Sequence, residues 1–309
     1  MQSIRSWIAR GAVVATLAAA AGVLAAPASA LTFNVINTND SGPGSLRQAL
    51  ADAAANAGDD DVVIQAGLGT ITLASEIEWS GSGVVTIQGN GVTIDFNGAS
   101  RGLVDDGGSG VSIINATVTG VAGSTSSDAG AVVSQGGPMS FADCTISGNT
   151  VQTDDGDVAG GILSEGGAVS VNNCTISANS GTTTTGDAGG GILSEGGAVA
   201  VNNSSIICNS ASTSAEGGDA AGGILSEGGA LSVTDSTVQG NTAQATGEGG
   251  VAENQLRADG GALDTTGSTV SDDTSICDAP PAPPPAPTGP PEVAPPAPAA
   301  VVAQPRFTG

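Results

Sequence analysis

Residues Gly160–Ser180 read GGILSEGGAVSVNNCTISANS, and the chain repeats this stretch. Gly190–Ser210 reads GGILSEGGAVAVNNSSIICNS thirty residues later, and Gly222–Thr242 reads GGILSEGGALSVTDSTVQGNT thirty-two residues after that. A looser copy, GAVVSQGGPMSFADCTISGNT, occupies Gly130–Thr150, and a degraded copy follows around Val270. Self-similarity at a period of this size is the sequence signature of a repeat architecture.

Each copy contains three short runs in which Val, Ile or Leu alternates with Ser or Thr, a pattern typical of half-buried β-strands. In the second copy the runs are Gly161–Ser164, Ala168–Val171 and Thr175–Ser177. Runs this short bury their apolar side only when equivalent runs stack, ~4.8 Å apart, into parallel sheets around one interior. We therefore predict an all-β fold, a parallel β-helix (solenoid). The predicted interior residues are Val169, Val171, Ile176, Val199, Val201, Ile206, Leu231, Val233 and Val238.

Three other repeat folds fit the sequence less well. A β-propeller has repeats of ~40–50 residues with aromatic signatures, which are missing here. A leucine-rich repeat contains far more Leu, and the nonapeptide roll that binds calcium needs Gly-Gly-x-Gly-x-Asp runs, which the chain lacks.

The beginning of the chain is predicted to be a secretory signal peptide, residues 1–30. Arg5 and Arg10 precede an apolar run at Gly11–Ala25, and small residues before Ala30 form a cleavage site. We expect the chain to be exported and to be secreted or held at the cell surface. No later stretch is apolar enough to cross a bilayer, so membrane insertion is not expected.

Two further segments complete the predicted organisation. Residues 31–278 form the β-helix, and an amphipathic helix at Ser45–Ala57 is expected to cap its first rung. Residues 279–309 hold 12 of the 15 prolines and are predicted to be a disordered tail of extended polyproline II conformation. Within this tail, Val301–Gly309 (VVAQPRFTG) is more apolar and is a candidate for docking onto another surface. The predicted apolar face of the capping helix consists of Leu46, Ala49, Leu50 and Ala53.

Composition restricts the function. The 309 residues include 30 Asp and Glu against 6 basic residues, all Arg, for a formal charge of −24, and removal of residues 1–30 makes this −26. Such a charge repels nucleic acid and anionic membrane surfaces. Because the chain has no His and no Lys, it lacks the commonest general base, the Schiff-base amine and the imidazole metal ligand.

Two resemblances to known proteins add to this picture. Phe33–Leu50 (FNVINTNDSGPGSLRQAL), followed by Asp59–Ile64 (DDDVVI), resembles the N-terminal segment of bacterial surface β-helix proteins of the CSLREA type. The Gly-Gly-Ile and Thr-Ile-Ser-x-Asn units are similar to the repeats of polymorphic outer-membrane proteins and to the pectate-lyase-like superfold. Together these resemblances cover residues 31–278 and imply a right-handed parallel β-helix. They imply little about chemistry, because that superfold includes lyases, hydrolases and adhesins.

The resemblance to the pectate-lyase-like superfold also indicates which residues an enzyme of this kind would need. Lyases of the superfold generally use Arg or Lys as the base near bound calcium, and its hydrolases use Asp clusters. The mature chain retains only Arg47, Arg101, Arg257 and Arg306, and none of them belongs to a repeated column. We therefore expect no catalysis.

Equivalent residues of a stacked repeat form columns, and two predicted columns are acidic. Charges ~4.8 Å apart repel by about 0.9 kcal/mol in water and ~3.5 kcal/mol at an effective dielectric constant of 20. We expect these columns either to spread into solvent as an acidic face or to hold calcium, the one candidate cofactor, through carboxylate and carbonyl oxygens. A glycosidase that uses paired carboxylates is a third interpretation. The two columns are Glu165, Glu195 and Glu227, and, in the loops, Asp157, Asp187 and Asp219.

Two further columns have structural interpretations. Asparagines at one corner are predicted to form a hydrogen-bonded ladder, where their tolerance of left-handed backbone also helps: Asn149, Asn179, Asn209 and Asn241. Cys144 and Cys174 are equivalent, one rung apart and predicted to face inward, so a disulfide and two free thiols fit equally well. Cys208 and Cys277 are predicted to tie the last rungs to the C-terminal end. A zinc site is not expected, because the chain has neither His nor Cys-x-x-Cys.

Together these features favour a secreted or cell-surface interaction protein that is adhesin-like and non-catalytic. It would present acidic loops from a rigid β-helix to an extracellular protein or glycan. Two alternatives stay open at this point: a polysaccharide-active lyase or hydrolase of the pectate-lyase-like superfold, and a structural protein of the cell envelope.

Overall fold

The computed structural model describes residues 29–277, so residues 1–28 of the predicted signal peptide and the whole predicted tail lie outside the described residues. Between these limits the chain is a parallel β-solenoid of about 8 turns with one α-helix. Its strands pair in parallel, rung upon rung, which confirms the fold class predicted from the repeat. None of the helices in this part of the chain is long and apolar enough to cross a membrane.

The first elements build the capped end of the solenoid. In chain order they are β1 (Thr32–Val35), α1 (Leu46–Ala54), β2 (Asp60–Ile64), β3 (Thr70–Thr72), β4 (Ile77–Trp79), β5 (Val85–Asp95), β6 (Leu103–Asp105), β7 (Val111–Thr119) and β8 (Ala122–Thr125). Helix α1 packs on β1, β2 and β4 and buries its predicted apolar face. The Ser45 side chain accepts a hydrogen bond from the backbone N–H of Gln48, which caps the helix.

The capping helix ends earlier than predicted. It stops at Ala54 instead of Ala57. The backbone N–H of Asn56 bonds to the carbonyl of Ala53, and its side chain donates to Asp60 at 2.8 Å. These two bonds turn the chain toward β2, so the helix cannot continue.

The repeats form rungs of five strands each. The first is β9 (Val132–Ser134), β10 (Met139–Ala142), β11 (Thr145–Ser147), β12 (Thr150–Thr153) and β13 (Val158–Ala159). The second is β14 (Ile162–Ser164), β15 (Val169–Asn172), β16 (Thr175–Ser177), β17 (Ser180–Thr183) and β18 (Ala188–Gly189). The third is β19 (Ile192–Glu195), β20 (Val199–Asn202), β21 (Ser205–Ile207), β22 (Ser210–Thr213) and β23 (Ala220–Ala221).

The last rungs continue the same order. The fourth is β24 (Ile224–Glu227), β25 (Leu231–Thr234), β26 (Thr237–Gln239), β27 (Thr242–Ala245) and β28 (Ala252–Glu253). The final rung is shorter and consists of β29 (Leu256–Asp259), β30 (Leu263–Asp264), β31 (Thr269–Ser271) and the 3-10 helix Thr274–Ile276. Register follows the repeat, so Val169 lies beside Val199 and Val199 beside Leu231. All of the predicted interior residues are buried in one continuous core.

The sequence predicts acidic loops at Asp157, Asp187 and Asp219, and in the structure these loops are short because most of each segment is β-strand. The segment forms two extra strands, such as β12 and β13, and only a short turn around Asp154–Asp157 lies between them. Val151 and Thr153 point inward and are buried, and the Thr183 hydroxyl donates to the carbonyl of Gly156 at 2.8 Å. Stacking on the rungs above and below satisfies the backbone groups, so a segment rich in Ser, Thr and Gly can form strands with little apolar content.

Candidate functional site: an acidic seam

Two walls of the solenoid bend toward each other at glycines. The sheet of β13, β18, β23 and β28 meets the sheet of β14, β19, β24 and β29 at this bend. A Cβ atom at Gly161 would overlap the carbonyl oxygen of Gly191, so the close approach of the rungs requires glycine there. Since strand side chains alternate, Ile162 enters the core while Leu163 points outward into the angle.

A second apolar cluster, separate from the core, fills the angle between these walls. All of its members are fully buried: Val104, Val133, Ala159, Leu163, Leu193, Ala221 and Leu225. The cluster lies on the outside of the solenoid wall, so other side chains must cover it.

Acidic side chains stand on both sides of this cluster. Asp157 precedes β13 and Glu165 follows β14, and both share the outward parity of Leu163. The structure thus brings together the two acidic columns and extends each of them by one residue. The resulting acidic seam consists of Asp128, Asp157, Asp187 and Asp219 on one side and Glu165, Glu195, Glu227 and Asp259 on the other.

The aspartate side of the seam is held by the backbone. The N–H of Asp157 donates to Oδ1 of Asp128 at 2.8 Å, and the N–H of Asp187 donates to Oδ1 of Asp157 at 2.6 Å. The N–H of Asp219 donates in the same way to Asp187 at 2.6 Å. Each rung therefore fixes one oxygen of the carboxylate below it and leaves the other oxygen to face the glutamates.

The glutamate side pairs with aspartates one rung earlier. The pairs are Glu165 with Asp128, Glu195 with Asp157, and Glu227 with Asp187. In Glu165 and Glu195 the Oε1 atom is buried and has no donor among the described residues. A proton on the glutamate supplies the donor that such a pair otherwise lacks. Protonation of the glutamates would relieve the repulsion within the columns, in addition to the two arrangements that the sequence leaves open, exposure to solvent and a bound cation.

Partial burial and acidic neighbours raise the pKa values of these glutamates. Desolvation, together with the facing aspartate, raises the pKa of Glu165 to about 7 and that of Glu227 to about 7. In the middle of the seam, where acidic neighbours lie on both sides, desolvation and Asp157 raise the pKa of Glu195 to about 9. The seam therefore carries less negative charge at neutral pH than its eight carboxyl groups suggest.

Arg257 ends the seam, and the expectation that no arginine belongs to a repeated column is wrong for this residue. It lies beside Leu225 in register, so it continues the outward column of Leu163 and Leu193. Its Nη2 donates to Asp219 at 2.7 Å and to Asp259 at 2.6 Å. The sequence hides this position because the last copy of the repeat lacks the Gly-Gly-Ile-Leu-Ser-Glu motif.

The same end of the seam has the spacing of a metal site. Carboxylate oxygens of Asp219, Glu227 and Asp259 lie within 4.8 Å of one another. Calcium prefers six to eight oxygen ligands. The guanidinium of Arg257 already provides a positive charge to two of these three carboxylates.

The other described arginines serve the capped end. Arg47 donates to the carbonyl of Glu76 at 2.6 Å, and Arg101 forms a two-pronged ion pair with the Glu76 side chain at 2.8 and 3.1 Å. Neither lies in the acidic seam, and Arg306 lies outside the described residues.

The asparagine column forms a buried ladder. Side-chain amides donate to the next asparagine at 2.9 Å (Asn149 to Asn179), 3.0 Å (Asn179 to Asn209) and 3.0 Å (Asn209 to Asn241). Gln255 continues the ladder by accepting from Asn241 at 2.7 Å. The left-handed residues at this corner are those that precede the asparagines, including Ala178 at φ 53° and Cys208 at φ 57°, so the expected left-handed backbone lies one residue earlier.

The four cysteines fall into two classes. Cys208 and Cys277 form a disulfide with their Cα atoms 5.5 Å apart. Cys144 and Cys174 are buried free thiols, which decides between the two arrangements that the sequence left open. The Cys174 sulfur accepts a hydrogen bond from the backbone N–H of Cys144 at 3.3 Å. One rung later, the Ser204 hydroxyl accepts the backbone N–H of Cys174 in the same way, at 3.0 Å. The hydrogen bond with Cys144 and burial raise the pKa of the Cys174 thiol.

Comparisons of the chain with protein-family models, curated proteins and solved structures each found no match. The resemblance to surface β-helix proteins therefore depends on the quoted motifs and on the parallel β-solenoid.

Proposed function

We propose that this chain is a secreted or cell-surface interaction protein, adhesin-like and non-catalytic, that presents the acidic seam to a positively charged extracellular protein or glycan. The observation that carries the proposal is the aspartate side of the seam, a row of carboxylates fixed by backbone hydrogen bonds on one face of a stiff solenoid. The CSLREA-type resemblance supports a bacterial surface location. A disulfide between Cys208 and Cys277 is consistent with an oxidising compartment.

The spacing of the seam suits an extended cationic partner. Successive carboxylates follow the strand spacing of ~4.8 Å, and each keeps one oxygen free of the backbone bond. A row of like charges attracts an oppositely charged partner from a distance and aligns it along the row. The fixed geometry also means that little side-chain entropy is lost on binding.

A binding screen tests the proposal. The mature chain, residues 31–309, is passed over immobilised basic proteins, amino-bearing glycans and neutral glycans at low and at moderate salt. We expect salt-sensitive binding to a cationic ligand, weakened at least tenfold by the double variant Asp157→Asn, Asp187→Asn, whose amide oxygens still accept the backbone bonds.

The matched control removes the same charge elsewhere. The control is the double variant Asp143→Asn, Asp235→Asn. Both residues are exposed and have left-handed backbone, which asparagine tolerates. This control should bind within twofold of the unchanged chain. Equal losses in both double variants, or binding only to neutral glycans, would contradict a role for the seam.

One observation favours a second candidate, a polysaccharide hydrolase. A glutamate of raised pKa that faces an aspartate is the usual combination of an acid and a carboxylate in glycosidases. Those enzymes keep their two carboxyl groups ~5–9.5 Å apart, to leave room for a water or for direct attack on the sugar, whereas the Asp157 carboxylate lies close enough to Glu195 to raise the pKa of that glutamate. Incubation with acidic and neutral polysaccharides, followed by assays for reducing ends and unsaturated products, separates the two functions. Product that disappears in Glu195→Gln would overturn the non-catalytic proposal.

A further inference from the structure

The two ends of the solenoid differ. Helix α1 covers the first rung, whereas the final rung, β29 to β31, has no strand on its outer side among the described residues. The stacked core columns become exposed there: Leu231 is fully buried but its neighbour Leu263 is 51 % exposed, and Val238 is fully buried but Val270 is 43 % exposed. We call this surface the open end.

The open end combines a cavity with an unpaired sheet edge. It contains a cavity of about 460 Å³ lined by Leu256, Leu263 and Val270 and, on its polar side, by Glu253, Gln255 and Asp272. The final strands also leave backbone N–H and C=O groups of the edge without a partner strand, which can pair with one added strand.

We propose that Val301–Gly309 of the same chain covers the open end as a cap. The chain leaves the described residues at Cys277, which the disulfide to Cys208 pins beside the final rung. Asp272, just before this point, already lines the cavity. Residues 278–300 can span up to ~70 Å at ~3.1 Å per residue, so the length of the connecting segment is sufficient for residues 301–309 to reach the open end.

The chemistry of the segment matches that of the open end. Val301 and Val302 favour an added edge strand, which Pro305 would end, and Phe307 is the one aromatic residue of the tail that could fill the cavity. Arg306 is the only basic residue in 278–309. It complements an exposed acidic rim made of Glu253, Asp264, Asp272 and Asp273.

This rim also argues against a second copy of the chain as the occupant. Two open ends placed face to face would bring these four acids against the same four, and the nearby Arg257 is already bonded to Asp219 and Asp259. Attachment in the same chain additionally supplies the segment at a high effective concentration.

Hydrogen exchange on the full chain tests the cap. We compare it with a chain that lacks residues 301–309 and with Phe307→Ser, using Val293→Ser, in the Pro-rich part of the tail, as the matched control. Loss of the cap should speed exchange in 256–271 at least tenfold and leave β15 and β16 unchanged, and the control should behave as the full chain.

The same samples exclude the other occupant. Light scattering and exchange at two protein concentrations should show a monomer whose protection at 256–271 does not depend on concentration. Equal exchange in the full and shortened chains would overturn the proposal. Protection that persists in the shortened chain and rises with concentration would assign the open end to a second copy instead.

Discussion

The glutamates of the acidic seam should make the fold less stable as the pH rises. Desolvation and the facing Asp157 raise the pKa of Glu195 from 4.5 to about 9. A carboxyl group whose pKa is higher in the folded chain binds its proton more tightly when folded. Its contribution to stability is therefore complete below pH 4.5 and is lost as the pH rises toward 9. Acidic conditions destabilise many proteins, so the direction itself is diagnostic.

The size of this effect follows from the pKa change. One pKa unit corresponds to about 1.36 kcal/mol. Glu195 is only partly buried, so solvent screens most of the resulting energy, and we take ~2 kcal/mol as the part that Glu195 contributes. For a domain of this size ~2 kcal/mol corresponds to about 4–8 °C in Tm.

The perturbation is Glu195→Gln, which keeps a hydrogen-bond donor toward Asp157 and removes the titration. Thermal unfolding is followed by circular dichroism between pH 5 and 9 at constant ionic strength. The unchanged chain should lose Tm across this range, and the variant should lose about 4–8 °C less.

The control for the charge itself is Glu216→Gln, at an exposed position outside the seam. It should shift the curve without changing its slope. A Tm that is constant or rises from pH 5 to 9 in the unchanged chain, or a Glu195→Gln slope equal to that of the control, would refute the shared-proton explanation.

Three other outcomes follow from the described contacts. Asn179→Ala removes the acceptor of two hydrogen bonds from buried Asn149 and should lower the free energy of unfolding, measured in urea, by about 3–5 kcal/mol. The control Asn172→Ala, at a partly exposed position, should cost under ~1 kcal/mol, and equal losses in the two variants would contradict the ladder. Thiol titration of the chain unfolded without reductant should count two thiols, since Cys144 and Cys174 are free, and a count of four or of none would refute this assignment. Cys208→Ser should lower the free energy of unfolding by ~4 kcal/mol, because the disulfide joins residues 69 positions apart. Millimolar calcium should leave Tm unchanged near pH 5.5 and raise it near pH 9, because the carboxyl groups of the seam must lose their protons before they can bind the ion. A rise in Tm that is equal at both pH values would place any calcium site outside the seam.

Much of the fold could be predicted because a repeat fixes which residues stack. The period aligns Val169 with Val199 and Leu231, and alternation then decides which side chains enter the core. The two extra strands of each rung could not be recognised in the same way. Their sequences, such as Ser180–Thr183, have little hydrophobic periodicity, and they form strands because the neighbouring rungs supply hydrogen-bond partners.

The members of the acidic columns could also be read from the repeat, but their pairing could not. It depends on the angle between two walls, which is set by the close approach of glycines such as Gly161 to the next rung. One signal was present in the sequence. Ile162 and Leu163 are adjacent and both apolar, and in a strand this indicates that both faces are covered. Asp157 and Glu165 alternate in phase with Leu163, so their side chains point to the same outer side of the wall. This pattern predicts that the acidic side chains cover a row of outward-facing apolar side chains.

This cover gives the seam two opposed roles. Because the pKa values of Glu165, Glu195 and Glu227 are raised in the folded chain, protons on these glutamates stabilise the fold. The same protons remove the negative charge that would attract a cationic partner. A bound cationic partner can replace them, since it offsets the repulsion as they do. The proposed binding and the stability of the solenoid are therefore linked through the same carboxyl groups, and the affinity for a basic partner should rise over the pH range in which the unbound fold weakens.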